Sequence, residues 1–306
     1  YFTAIFKRRK SMIYLIFAIL CSSAIALLFK YSERIGAKIY TVTCSNYLIA
    51  FLTSIIMIIY KQNYDVTKAN LSFISEFSRA ISSADYIMSP YSSIIFGLIL
   101  GPVAGIFFFS SFIYYQKSVK VNGVSLSGTF SKLGVLVPMI LSIVLWNEIP
   151  TLIQAAGIAV TVVAIIIVNR SSDKESELSV NRSLMALFFL GGMVEFSNKI
   201  YQKYAMIEYK EVFLFMVFVS AFIISLGFLI REKTRIELRD VAVGFAVGIP
   251  NLFTSCFLIM ALDTIKASVA FPVFSAGTIL IITAAGSVIF REQIAPKNRI
   301  AIVLVI

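Results

Sequence analysis

Long apolar runs separated by short polar links dominate the sequence, and ten of them are candidate membrane spans. A helix needs about 20 predominantly apolar residues to cross a hydrocarbon core about 30 Å thick. The runs lie at roughly 12–32, 38–60, 91–116, 122–146, 151–169, 183–206, 210–230, 240–262, 266–290 and from 297 onward. We therefore expect an all-α integral membrane protein with ten transmembrane helices, of which the last is truncated at Ile306.

The charged residues fit a membrane protein better than a nucleic-acid-binding one. Only 14% of the residues are charged, and the net charge of +11 comes from bases scattered through the short links between apolar runs. We therefore expect the lipid bilayer of the cell membrane as a partner, and no nucleic acid.

Few residues could support catalysis or hold a metal. The absence of histidine excludes Ser-His-Asp catalysis and His-containing metal sites, and the three cysteines lie in apolar runs without CxxC spacing. No GxxxxGK[ST] loop for a nucleotide phosphate is present either. We therefore expect no enzyme, no catalytic residues, no metal and no cofactor.

A polar segment at 169–182 divides the chain near its middle, with five spans on either side. The predicted units are 1–168 and 183–306, joined by this linker. Within the first unit, Leu71, Ile74, Phe77 and Ile81 recur at helical spacing in the longer link at 61–90. This pattern predicts a short amphipathic helix lying on the membrane surface.

The two units show weak self-similarity. An offset of 144 residues pairs Phe130-Ser131 with Phe274-Ser275 and Glu148 with Glu292. A unit with an odd number of spans must enter the membrane in the opposite sense when it is repeated. The pattern predicts two inverted five-helix repeats, as in many secondary transporters.

The whole chain resembles a ten-span member of the drug/metabolite transporter superfamily, of the EamA-domain type. Ser23 to Lys30 and Gly192 to Lys199 keep a seven-residue step found at the opening of EamA units, and Glu148 and Glu292 match their closing acid. The tryptophan typical of both openings is missing. The resemblance implies the ten-span fold and a transport role, and it alone makes Lys30 a candidate site residue.

Two charged residues are predicted to lie deep in the membrane. Lys132 is about ten residues inside the fourth span, or roughly 15 Å at 1.5 Å per residue, and shares a face with Thr129. Glu195 is about twelve residues inside the sixth span. A charge at this depth costs roughly 2.5 to 3.5 kcal/mol on insertion scales, so it usually faces a partner or a cavity.

The sequence leaves the partner of Glu195 open. Lys199 follows it at i+4, a favourable order on a helix that needs no function. Alternatively, Glu195 reaches Lys132, and Lys199 extends toward the interface. Either arrangement leaves an excess of positive charge and favours a substrate with a negative group. The predicted substrate-binding residues are Lys132, Glu195, Lys199, Asn251, Asn46, Thr129 and Lys30.

Glycine and proline interrupt the third and eighth spans at corresponding places. Gly101 and Pro102 in one span, and Gly248 and Pro250 in the other, are predicted helix-break or gating positions, because paired interruptions often mark transporter binding sites. The alternative is close helix packing through small residues, which Gly97 and Gly101 favour.

These features predict a secondary transporter that moves a small polar organic metabolite, an anion or a zwitterion, by alternating access. Glu195 is a candidate to carry coupled protons, and passive exchange is equally compatible with the sequence. The alternatives are a membrane-embedded enzyme, which needs paired acids or a nucleophile with a base, and a channel or receptor-like scaffold. The sequence fits a monomer or a homodimer.

Overall fold

The computed structural model of the protein describes residues 2–61, 72–83, 86–146, 151–153, 155, 156, 159, 179–233 and 235–291. Side chains are described from residue 10 onward within 2–61 and from residue 183 onward within 179–233. Every regular element in these ranges is helical. The α-helices are α1 Phe2–Arg34, α2 Ile39–Tyr60, α3 Phe73–Ser82, α4 Pro90–Leu133, α5 Leu136–Trp146, α6 Ser179–Tyr204, α7 Lys210–Glu232, α8 Leu238–Leu262 and α9 Ala267–Val288, with a 3₁₀ turn at Ile207–Tyr209.

Six helical stretches in the described part of the chain are long and apolar enough to cross a membrane. They are Lys10–Arg34, Ile39–Tyr60, Pro90–Trp146, Ile207–Glu232, Leu238–Leu262 and Ala267–Val288. Large apolar side chains on their outer faces are exposed, for example Ile56 and Ile59 of α2. Lipid, rather than water, suits such a surface. The protein is therefore an all-α protein of the membrane type.

Some predicted spans are not among these six stretches. α6 covers the predicted span 183–206 but carries Glu195 and Lys199, which lower its hydropathy. Most of 151–169 and everything from 297 onward lie outside the described residues, as does the linker up to 178. The number of crossings stays a prediction.

The stretch Pro90–Trp146 folds back on itself at Gly123. This residue has φ +79°, a left-handed conformation that glycine adopts at low cost. The hydroxyls of Ser118 and Ser127 are 2.8 Å apart, although nine residues of straight helix would separate them by about 13 Å. The chain thus turns between the third and fourth predicted spans, so 90–122 and 124–133 pack as antiparallel arms.

The helix ends gather in two groups. At one end, Lys38 before α2 pairs with Glu237 before α8 at 3.2 Å. At the other end, the hydroxyl of Thr264 after α8 donates to Ser11 of α1 at 2.6 Å, and Trp146 Nε1 of α5 donates to the Tyr204 hydroxyl of α6 at 2.7 Å. We name these groups the Lys38 end and the Tyr204 end. α1 and α8 each run from one end to the other, so a polar residue midway along a helix lies deep in the bundle.

Glycines of α4 and α8 allow close helix packing. A Cβ at Gly101 would lie 2.5 Å from the Met216 Cβ of α7, and one at Gly244 would lie 2.5 Å from the Ser45 Cβ of α2. Gly248 likewise packs directly on the backbone of Asn46. Small residues four positions apart thus allow close helix packing in these helices. This was the alternative interpretation of the glycine pattern in the sequence.

The helices continue through both prolines. Pro102 lies inside α4 and Pro250 inside α8, and the single non-helical residue within α4 is Gly123. Each proline still lacks the N–H that would bond the carbonyl four residues earlier. The gating role of Gly101, Pro102, Gly248 and Pro250 stays a prediction.

The amphipathic helix predicted within 61–90 corresponds to α3. Ser72 caps its first turn, and Phe77 packs on Phe96 of α4 with ring centroids 5.8 Å apart. Ile74 and Ile81 are exposed on the outer side. Leu71 lies outside the described residues, and the location of α3 on a membrane surface stays a prediction.

Candidate functional site

A tight crossing of two helices brings the deep charges together. A Cβ at Gly134, just after α4, would lie 2.7 Å from the Gly192 nitrogen of α6, and one at Gly192 would lie 2.6 Å from the Val137 Cβ. Only glycines allow the two backbones to approach this closely. Lys132 lies two residues before this contact and Glu195 three residues after it, so their side chains share one space.

Lys132 and Glu195 form a buried ion pair. The Lys132 Nζ lies 3.7 Å from the Glu195 Oε1, and their side chains are 11% and 10% exposed. The sequence left open whether Glu195 pairs with Lys199 on its own helix or with Lys132 on another helix, and the structure has the second arrangement. The distance exceeds the 2.7–2.9 Å typical of a charge-assisted hydrogen bond. The two groups therefore form an ion pair without a direct hydrogen bond.

Two further helices hold these groups in place. The Lys132 ammonium lies 4.3 Å from the centroid of the Phe274 ring, and the Ser275 hydroxyl donates to the Lys132 carbonyl at 3.0 Å. Both contacts come from α9. On the other side, Asn198 Nδ2 donates to Glu195 Oε2 at 3.4 Å and approaches the Ser255 hydroxyl of α8 at 3.5 Å.

The Asn198 side chain is incompletely satisfied. Asn198 is 1% exposed, and its Oδ1 has no hydrogen-bond partner within the described part of the protein. A buried polar atom without a partner costs about 1–3 kcal/mol. A hydrogen bond to this oxygen would remove the cost.

A small cavity of about 50 Å³ lies against the ion pair. Besides Lys132 and Glu195, its polar wall consists of Ser22, Ser111, Tyr115, Ser131, Asn251, Thr254 and Ser255, and its apolar wall includes Phe108 and Phe112. This space holds a few water molecules but is far below the 300 Å³ or more of most ligand sites. In this conformation the cavity is too small for a metabolite-sized molecule.

Two predicted asparagines lie beside this cavity. Asn251 lines it, and its Nδ2 donates to the Asn46 Oδ1 of α2 at 3.1 Å. Asn46 is fully buried, and its own Nδ2 lacks a partner among the described residues. The two amides thus join α2 and α8 at the depth of the ion pair.

The other predicted site residues lie elsewhere. The Thr129 hydroxyl donates to the Ser125 carbonyl of its own helix at 2.8 Å. Lys30 pairs with Glu33 at 2.9 Å near the last turn of α1. Lys199 donates to Gln202 Oε1 at 3.1 Å, and its ammonium lies 5.8 Å from the centroid of the Trp146 ring. Of the predicted site residues, the structure brings together Lys132, Glu195, Asn251 and Asn46. Thr129, Lys30 and Lys199 do not line the cavity at the ion pair.

Several cavity residues were missed by the sequence interpretation. Ser255 follows Asn251 at i+4, so helical spacing from a suspected site residue would have found it. Ser22 and Ser111 gave no such signal, because single serines are common in membrane helices. Within the described residues, no group of three or more Cys, Asp or Glu side chains is arranged to hold a metal ion.

Comparison with known proteins supports the fold. No protein-family model matches the chain. An uncharacterized protein of Haemophilus influenzae is 23% identical over 297 residues, which cover 94% of this chain and 93% of the relative. A solved crystal structure of a protein matches with a TM-score of 0.60 at 12% identity, covering 96% of this chain and 93% of the other. The chain therefore shares its overall fold with an experimentally determined structure.

Proposed function

We propose that the protein is a secondary transporter that moves a small polar organic anion or zwitterion across the membrane by alternating access. The observation that carries this proposal is the buried ion pair of Lys132 and Glu195. It lies deep in the helical bundle, where an isolated charge is costly, and it lines a cavity together with several other polar side chains.

Binding would occur by exchange of partners. A substrate carboxylate or phosphate that approaches Lys132 competes with Glu195, whose oxygen is 3.7 Å from the ammonium. A zwitterion offers Glu195 a cationic group in return, whereas a simple anion leaves Glu195 to bind a proton. Both routes avoid an unpaired buried charge, which costs about 3–5 kcal/mol when one partner of a buried pair is removed.

The same proposal includes ten transmembrane helices arranged as two inverted five-helix repeats. Reciprocal packing supports it: α1 packs against α8 as α6 packs against α4, and α2 packs against both α7 and α8. Glycines of α4 face α7, and glycines of α8 face α2 in the corresponding way. Ser275 also contacts the carbonyl next to Ser131, its partner at the offset of 144 residues. Equivalent positions meet in this way near a two-fold axis.

The reciprocal packing suits alternating access. Two similar bundles of opposite orientation can rock about a site near the midplane and open it to each side in turn. The small cavity around Lys132 fits a closed state between the two openings. The membership of the EamA-type drug/metabolite transporters that the sequence suggested is part of this proposal, as are the cell membrane as location and coupling to protons through Glu195.

A ligand-stabilisation screen on the detergent-purified protein tests the proposed substrate class. We expect small organic anions or zwitterions to raise the thermal unfolding temperature of the wild-type protein, and to raise that of Lys132→Ala less. Ammonium compounds of similar size without an acidic group are the control ligands in this screen. Stabilisation by cations with no response to anions or zwitterions would contradict the role of Lys132.

A further inference from the structure

A second and larger cavity of about 550 Å³ lies at the Tyr204 end of the bundle. Its wall is formed by Lys199 of α6, by Thr151, and by 262–269, which connect α8 to the first turn of α9. The volume lies within the range of about 300–1,000 Å³ that is usual for small-molecule sites. Unlike the cavity at Lys132, it can hold a whole metabolite without helix movement.

The charged side chains of this wall favour an anion. Lys199 and Lys266 contribute two ammonium groups, and Asp263 contributes one carboxylate. A concave, low-dielectric wall with an excess of one sign of charge concentrates ions of the other sign.

The position of Lys199 connects this cavity to the ion pair. Lys199 is 6% exposed, and the Gln202 amide oxygen and the Trp146 ring hold its ammonium. It follows Glu195 at i+4, so the two Cβ atoms lie about 5–6 Å apart on one helix face. One helical turn therefore separates the wall of the large cavity from the site at Lys132.

We propose that this cavity is an outer binding site that takes the carboxylate or phosphate group of an organic anion between Lys199 and Lys266. Occupation of this outer site raises the local concentration of anions next to Lys132. The proposal that its occupant passes to Lys132 rests on the transport function proposed above. The proposal that an anion binds at the outer site does not depend on the transport function.

Trp146 provides a natural reporter, because it is the protein's one tryptophan and its ring lies beside the Lys199 ammonium. Its fluorescence is measured in neutral detergent with three quenchers: anionic iodide, cationic caesium and uncharged acrylamide. We expect iodide to quench Trp146 more strongly than caesium, and inorganic phosphate to protect against iodide.

Variants test whether the stronger quenching by iodide arises from the charged wall of this cavity. Lys266→Gln should lower the iodide quenching constant about twofold, the size of effect expected when two unit charges about 8 Å apart in water interact with roughly 0.5 kcal/mol. Lys266 is exposed and does not contact Trp146 in the described structure, so its removal should leave folding and the acrylamide constant unchanged. Lys120→Gln, which removes an exposed lysine near the Gly123 turn, should change none of the three constants.

Lys132→Ala separates the outer site from the transport proposal. We expect this variant to keep the iodide preference and the phosphate protection. Equal quenching by iodide and caesium in the wild-type protein, or an unchanged iodide constant in Lys266→Gln, would refute the outer site alone. An iodide preference that behaves as described, in a protein that transports no solute, would refute the transport function and leave the outer site standing.

Discussion

We expect Lys132→Ala to abolish transport of any solute that stabilises the wild-type protein. The variant removes the ammonium that lies 3.7 Å from the Glu195 Oε1, and it leaves this carboxylate buried. Removal of one member of a buried pair destabilises a protein by about 3–5 kcal/mol. Solute uptake into proteoliposomes and thermal unfolding in detergent measure the two effects separately.

A double variant distinguishes a structural role of the ion pair from a binding role. Lys132→Gln combined with Glu195→Gln removes both charges at nearly constant volume, so we expect it to recover much of the stability lost in either single variant. Transport should stay absent, because the substrate group has lost its charged partner. Lys120→Ala, at an exposed position near the Gly123 turn, is the matched control for lysine removal. Normal transport by the double variant would show that the pair is only structural.

The second large effect is expected at the glycine crossing. In Gly192→Ala, the new methyl group would lie 2.6 Å from the Val137 Cβ and against the Gly134 carbonyl, so α6 must move away from α4 and α5. We expect a loss of about 1–3 kcal/mol, the usual range for overpacking, together with reduced transport because Lys132 and Glu195 separate.

Gly227→Ala is the control for this substitution, because a Cβ at Gly227 has no neighbouring atom within 4 Å. It should match the wild-type protein in both thermal unfolding and uptake, or gain slightly in stability, since alanine favours helix more than glycine. If Gly192→Ala unfolds at the same temperature as the wild type and transports normally, the close approach of α4 and α6 does not position the site.

Sequence reasoning found the two central residues but not their contact. Lys132 and Glu195 were recognisable because charges within long apolar runs are costly and therefore rare. Their pairing was not, because Lys199 at i+4 offered Glu195 an equally reasonable partner. The choice depends on the rotation of α6 and on its close approach to Gly134, which come from tertiary packing.

The helices were predictable where a run of apolar residues is long and continuous, as in α2, α7, α8 and α9. The sequence placed a break between the predicted spans 91–116 and 122–146, which lies close to the observed turn at Gly123. The roles of glycine were harder to predict, since the same residue type forms a turn at Gly123, a helix contact at Gly101 and the crossing at Gly192. Only the neighbours in the folded protein distinguish these roles.

The central claim is that Lys132 and Glu195 bind a solute in a carrier that opens to one side at a time. Counterflow in proteoliposomes tests it most directly, with a stabilising anion or zwitterion from the screen loaded inside and a radiolabelled trace of it outside. We predict transient accumulation of label by the wild-type protein, and none by Lys132→Ala. Label that only equilibrates, with no stimulation by the internal solute, or steady ion currents in a planar bilayer, would contradict a carrier and indicate a channel.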